Sequence, residues 1–267
     1  MSHEVPGRPI GADPAELEQF ALDQAAAEDD DLAASLAALS KLSSGQLSLE
    51  QLLTQVATFA VQAIPGADGA GLTLIESDRA DTIVMSAPFV REVDDIQYGL
   101  GEGPCISAAL TGQTMRSGSL GGDRRWPRFG GRVGRLGVHS VLSLPLISAG
   151  AVVGAMNVYA HAKDAFDERS EQLGALFAVP AAISVQNAQI LAQTQRLAAN
   201  MQAALTNRAV IDQAIGILMS RTGVSAEAAF SKLRDLSQQE HLKVAAIANG
   251  IVLEAVRRAR ARRPDGN

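Results

Sequence analysis

The chain has 267 residues, 47% of them apolar, 4% aromatic and 19% charged, which is length enough for one large domain or two modest ones with a proper core. Its single cysteine, Cys105, excludes an intramolecular disulfide framework, a Cys-rich zinc site and a CxxC redox pair. The net charge of −6 is unevenly spread: residues 1–189 hold 12 basic against 23 acidic side chains, and residues 190–267 hold 11 against 6. A basic C-terminal segment behind an acidic body points to a polyanion-binding module.

The first thirty residues are acidic and show no apolar segment behind a basic start, so no secretory signal is expected. The best apolar run, Ala175 to Val185, is short for a bilayer span and contains Pro180 and Ser184. The expectation is a soluble cytoplasmic protein with no membrane partner.

Residues 1–46 read as an acidic, low-complexity extension. Leu32, Leu36 and Leu39 recur at helical spacing, but a solvated extension is the preferred reading. From Leu49 the rhythm Leu49, Leu52, Leu53, Val56, Phe59, Ala60 predicts a helix closed by Pro65-Gly66. Short β-type runs follow, Ala70 to Ile75 and Thr82 to Ser86, separated by a turn at Ser77-Asp78. Val138 to Ile147 and Ala151 to Tyr159 predict a hairpin around Ser148-Ala149-Gly150. Between the two pairs lies a Gly-rich middle, with a short helix after Pro104 and a loop from Gly118 to Pro127. A long helix should begin near Asp167-Glu168, where acidic side chains favour a helix N-terminus. These elements predict an α+β domain built on one antiparallel sheet flanked by helices over residues 47–190. A long connecting helix and an all-α three-helix bundle over 191–263 are expected after it.

Along the long helix Leu176, Ile183, Ile190 and Leu197 repeat at sevens, a coiled-coil-like seam interrupted by Pro180, Asn187 and Thr194. The first block of the bundle runs through Leu205, Ile211, Ile215 and Leu218 to Thr222-Gly223. Ser225 caps the second, with Phe230, Leu233 and Leu236 expected to point inward. The third carries Val244, Ile247, Ala248, Ile251 and Ala255 and ends in an arginine cluster from Arg257 to Arg263.

No P-loop, GxSxG or HExxH motif is present, and His3, His139, His161 and His241 are scattered, so neither an enzyme nor a metal site is expected. Gly99 to Gly103 reads as a turn before a helix rather than a phosphate loop. Cys105 has two readings, a small buried hydrophobe, which is preferred, or a redox-sensing thiol activated at a helix start. The arginines around Trp126 and Phe129 could bind an anion. The preferred alternative has the two rings covering the sheet while Arg124, Arg125, Arg128, Arg132 and Arg135 face water or the acidic body. Arg208 falls on the apolar stripe of its helix and must snorkel, pair with Asp212 one turn on, or face a partner. Mid-helix Gly216 is unfavourable by about 1 kcal/mol relative to Ala, which suggests close approach of a helix or of a bound polyanion. The positive groups on the short helices can neutralise phosphates, with a plain solvated face as the alternative.

The ordered set Arg208-Ala-Val-Ile-Asp-Gln-Ala-Ile-Gly-Ile-Leu-Met219, Ala229-Phe230, Leu233-Arg234, Ser237-Gln238 and Leu242-Lys243 closely resembles the ANTAR domain. That family is a three-helix RNA-binding module of bacterial transcription antiterminators. Ile215 departs from it, standing where many members carry Lys. The region at 47–190 resembles a GAF sensor domain of the kind fused to ANTAR in actinobacteria. Its markers are Gly101-Glu-Gly-Pro-Cys105, Asp123-Arg-Arg-Trp-Pro-Arg-Phe129, Gly137 to Leu146 and Gly154 to Tyr159.

The resemblance implies a dimer, joined through the helix at 168–205, that grips tandem RNA hairpins in an mRNA leader under control of the GAF domain. Read together with the charge of the C-terminal block, it makes Arg208, Arg221, Lys232, Arg234 and Lys243 the expected RNA contacts. Cys105 stays the candidate sensor residue from its place at a helix start, and a small-molecule GAF ligand is expected whose identity stays open. A ligand-sensing DNA-binding factor and a protein-interaction regulator remain the alternatives. A methionine sulfoxide reductase on the GAF pocket is expected to use more than one cysteine, and the lone Cys105 argues against it.

Overall fold

The computed structural model describes residues 13–42, 47–76 and 79–261, with the side chains of 75–83 left aside. The chain divides into two compact units, 1–192 and 193–267. The expected Ser77-Asp78 turn and the last arginines, Arg262 and Arg263, lie outside the described residues.

In the first unit the elements run α1 (Pro14–Lys41), α2 (Leu49–Ala63), β1 (Gly69–Glu76), β2 (Arg79–Met85), α3 (Pro88–Leu100), α4 (Pro104–Thr111), β3 (Met115–Ser117), α5 (Pro127–Val133), β4 (Ser140–Ser148) and β5 (Ala151–Ala160). The strands form one antiparallel sheet in the order β2-β1-β5-β4-β3. In its centre Leu72 and Leu144 both lie opposite Met156. Because successive strand residues face opposite sides, one face presents Leu72, Leu74, Leu142, Leu144, Met156 and Val158. The other presents Gly71, Thr73, Val141, Ser143, Asn157 and Tyr159.

The first face is apolar and is covered by helices. Leu52, Leu53, Val56 and Ala60 of α2 are buried against it, as the i, i+3, i+4 spacing requires. The expectation of a solvated acidic extension holds for the acidic residues 13–31, which stay exposed or half-buried, and fails for the end of the helix that carries them. Asp13 and Glu16 form a capping box at the start of α1, and Leu32 and Leu39 are buried in the same core as α2. Arg169 pairs with Glu28 at 3.6 Å and with Asp29, offsetting part of the acidity that argued for solvation.

The second face is covered by α3, α4 and α5. Periodicity did not reveal α3, because two of its four buried positions are polar: Val90, Val93, Asp94 and Gln97. Likewise the expected loop from Gly118 to Pro127 begins after a short edge strand, β3, and leads through a 3₁₀ turn at Leu120–Gly122 into α5.

The long helix α6 spans Glu168–Thr222, 55 residues. Ser170 donates from its amide and its hydroxyl to Asp167 Oδ1, at 2.8 and 3.0 Å, at its start. Leu173, Phe177, Ala181, Val185 and Ala188 form its buried stripe. The heptad seam lies on the opposite side: Leu176, Ile183, Ile190 and Leu197 are 59%, 49%, 55% and 59% exposed. By length and composition alone α6 is apolar enough to cross a membrane, a property that no single unbroken apolar run reveals; 39% of that window is buried within the fold.

In the second unit the end of α6 is followed by α7 (Ala226–Glu240) and α8 (Val244–Ala261). Ser225 Oγ accepts the Ala228 amide at 3.3 Å as the cap of α7. The core is thin. Ala214, Leu233 and Ala248 are buried, with Val210, Ile211, Ile215, Leu218, Ile247 and Ile251 packed around them. Phe230 and Leu236, expected inside, are 41% and 36% exposed, because α7 turns only the stripe of Ala229 and Leu233 inward.

Candidate functional site

Two regions carry polar chemistry, one in each unit. In the first, the second sheet face and α3 enclose a buried hydrogen-bonded network. Tyr159 donates its hydroxyl to Asp94 Oδ1 at 2.7 Å, and Asn157 Nδ2 donates to the same oxygen at 3.4 Å. Ser143 donates to Asn157 Oδ1 at 2.8 Å. Glycine at position 71 lets α3 approach the sheet here: a Cβ there would lie 2.7 Å from Asp94 Oδ2 and 2.9 Å from Val90 Cγ1. Among the described residues Asp94 Oδ2 and Gln97 Nε2 have no hydrogen-bond partner. Burial of Asp94, only partly offset by the hydrogen bonds from Tyr159 and Asn157, pushes its carboxyl up to about 7.

Cys105 lies beside this network at the start of α4. Its amide donates to Gln97 Oε1 at 2.9 Å and its sulfur is 3.3 Å from the Tyr98 hydroxyl, which also meets the Thr73 hydroxyl. Burial, reinforced by the Asp94 carboxylate, pushes the thiol up to about 11, so it stays protonated and poorly nucleophilic at neutral pH. The helix start does not activate it. Gly101, at φ +62°, closes α3 and turns the chain toward α4, the geometry expected of the Gly99 to Gly103 stretch.

Trp126 and Phe129 are buried in the cluster on this face. The indole Nε1 donates to Ser107 Oγ at 2.9 Å. Arg125 lies 4.3 Å over the Trp126 ring and pairs with Asp123 at 2.7 Å, while Arg128 pairs with Glu102 at 2.8 Å. The hydrogen bonds from Arg125 pull the Asp123 carboxyl down to about 2. These two arginines are therefore engaged within the fold. Among the described residues no group of three or more His, Cys, Asp or Glu side chains is placed to hold a metal ion.

In the second unit Arg208 and Arg221 lie on α6, Lys232 and Arg234 on α7, and Lys243 immediately before α8. All five are exposed, and no ion pair among the described residues involves any of them. Of the three readings of Arg208, the ion pair with Asp212 is not formed. By contrast Arg257 and Arg258 are both held by Glu254. The carbonyl of Lys243 accepts the amides of Ala246 and Ile247 at 2.8 and 3.2 Å. Its charge thus adds to the positive end of the α8 dipole, an arrangement that costs stability unless an anion is bound.

The five do not share one surface. Lys232 and Arg234 project about 200° apart around α7, and Arg208 and Arg221 are separated by about 20 Å along α6. The buried network of Asp94, Gln97, Tyr98, Asn157 and Tyr159 was missed from sequence. A carboxylate and an amide at i, i+3 within a valine-bearing helical stripe were the available signal.

Residues 46–186 match the GAF domain family, more than half of the chain, and residues 199–252 match the ANTAR domain. No curated protein matches. Among solved structures, the free methionine-R-sulfoxide reductase of Neisseria meningitidis in complex with its substrate is similar at 17% identity, over 62% of this chain and 92% of that chain, with a TM-score of 0.47. The GAF domain of a phosphoenolpyruvate-protein phosphotransferase from Coxiella burnetii is similar at 16% identity, over 60% and 95%, with a TM-score of 0.44. Its counterpart from Acinetobacter is similar at 12%, over 62% and 97%, with a TM-score of 0.45.

Proposed function

Because the chain belongs to the GAF domain family and carries an ANTAR domain behind its GAF domain, we propose that it is a sensory transcription antitermination regulator. The ANTAR domain binds tandem RNA hairpins in an mRNA leader and holds the leader in the form that prevents a terminator stem. The GAF domain controls that binding, and both domains are regulatory rather than catalytic in kind.

The observation that carries this reading is the set of exposed cations on the second unit. Arg208, Arg221, Lys232, Arg234 and Lys243 have no ion-pair partner among the described residues, so each can release counterions by meeting a phosphate. Their spread over three helices suits a folded RNA that wraps the unit better than a single straight groove. Loop bases are accessible in such an RNA, whereas the bases of an A-form stem are not, so specificity belongs to the loops and affinity to the phosphates.

The exposed seam of α6 supports a homodimer, since Leu176, Ile183 and Leu197 would otherwise leave an apolar stripe in water. Two-fold symmetry would then match two similar hairpins. We place the regulator in the cytoplasm, where leader transcripts are made. Cys105 is assigned to the buried network, and a small molecule is the natural input to the GAF domain.

The test is transcription through a leader that carries tandem hairpins ahead of a terminator. Added protein should raise readthrough, and should do so only when both hairpins are present. Unchanged termination would contradict the proposal.

A further inference from the structure

Within the second unit the C-terminal turns of α6 and the length of α8 leave an open slot of about 620 Å³, inside the range of about 300–1,000 Å³ typical of small-ligand sites. Its two walls differ in chemistry. Gln213, Ser220 and Arg221 come from one side of α6, with Ile217 between them, while Val252, Ala255, Val256 and Ala259 come from α8. One wall therefore offers an amide that both donates and accepts, a hydroxyl and a guanidinium. The other offers flat, small apolar surface.

Gly216 lies between the polar residues on α6 and also lines the slot. A glycine in mid-helix is unfavourable, and close packing is the usual compensation. Here none exists, because a Cβ at Gly216 would meet no atom within 4 Å. No neighbouring helix explains the residue, and its effect is to keep the slot wide. Arg221 lines the slot and pairs with no acid among the described residues. The opening therefore carries positive charge.

From these features we infer that the slot between α6 and α8 receives an unstacked base of the RNA loop, with Gln213 and Ser220 reading its edge and Arg221 holding the adjoining phosphate. The apolar wall covers the face of the base, a contact that tolerates any base, while the amide can select among them. A helix from a protein partner would instead leave Gln213 and Ser220 facing apolar side chains, an uncompensated polar burial. This inference rests on the RNA-binding reading above and assigns the part of that surface that recognises bases.

The experiment measures binding of the full chain, by fluorescence anisotropy, to a tandem-hairpin RNA and to the same RNA with abasic loop nucleotides. Gly216→Leu fills the slot, and Gly250→Leu is the control, since Gly250 is a second helical glycine with nothing within 4 Å of an added Cβ and does not line the slot. Melting curves verify that both variants fold, and light scattering reports their oligomeric state. The wild type and Gly250→Leu should bind the intact loops about tenfold more tightly than the abasic ones. Gly216→Leu should bind both RNAs equally, at the abasic level, with its salt dependence retained.

A preference retained in Gly216→Leu would overturn the slot assignment while leaving RNA binding intact. So would a change of oligomeric state in Gly216→Leu without a change in loop preference, which would make the slot a protein interface. A wild type that binds the tandem hairpins no better than duplex DNA would overturn the RNA-binding reading and the slot with it.

Discussion

Tyr159 Oη donates to Asp94 Oδ1 across 2.7 Å, while the other carboxylate oxygen has no partner among the described residues. Together with the longer hydrogen bond from Asn157, this bond holds a carboxyl group that the surrounding core disfavours as an anion. The pair ties α3 to β5 on the face of the sheet opposite α2 and α6, and it makes the sensor domain's stability depend on pH in an unusual direction.

Asp94 titrates near 7 in the folded chain against an ordinary value of 3.8. Between those values the folded state binds a proton that the unfolded state lacks, so stability falls as pH rises through this window. Below about 4 and above about 7 the contribution is constant. The full effect is on the order of 4 kcal/mol. Thermal melting should therefore show a more stable protein at pH 5 than at pH 7.5, and Asp94→Asn should remove most of that difference. An equal slope in Asp94→Asn would assign the pH dependence elsewhere.

Leu39 carries a second prediction. It is 3% exposed within the core shared by α1 and α2, so Leu39→Ala should lower the unfolding free energy by about 2–5 kcal/mol. Urea denaturation measures this. A change within about 0.5 kcal/mol, as at an ordinary surface site, would show that α1 is not docked.

Leu197, at 59% exposure on α6, tests the seam. Leu197→Glu should convert a dimer into a monomer by light scattering without lowering the melting temperature of the sensor domain, whose core lies elsewhere. A wild-type monomer, or a variant that stays dimeric, would remove the seam from the interface.

The Cys105 thiol, pushed up to about 11 by burial, should resist thiol reagents at pH 8 in the folded state and react promptly once the chain is denatured. Rapid labelling of the folded protein would restore the sensing role that the helix start suggested.

The sheet and the long helices were legible because their apolar residues recur with period 2 or 3.6 and are bounded by turn residues, as at Pro65-Gly66, Ser148-Ala149-Gly150 and Thr222-Gly223. Elements with polar residues on their buried side were not. α3 hides Asp94 and Gln97, and a hydropathy pattern counts both as solvent-facing. The opposite error occurred at Phe230, whose size and position in a helical stripe predicted burial. The thin core around Ala214, Leu233 and Ala248 has no place for it.

At the second unit the sequence marked the cations and the odd glycine, but not their placement. Charge count said nothing of the angular spread of Lys232 and Arg234, nor that Arg221 alone of the five lines the slot. Gly216 was visible as an anomaly, and the empty space around it removes close helix packing as its cause.

The central claim is that the five exposed cations grip structured RNA. Its most direct test is the affinity of the full-length protein for a tandem-hairpin RNA across a salt series, compared with duplex DNA of equal charge. The wild type should prefer the tandem hairpins at every salt concentration, and each single change of Arg208, Arg221, Lys232, Arg234 or Lys243 to Ala should weaken binding. Each lost phosphate contact should flatten the slope of log affinity against log salt by about one. Equal affinity for the two nucleic acids, with slopes unmoved by all five changes, would contradict the account.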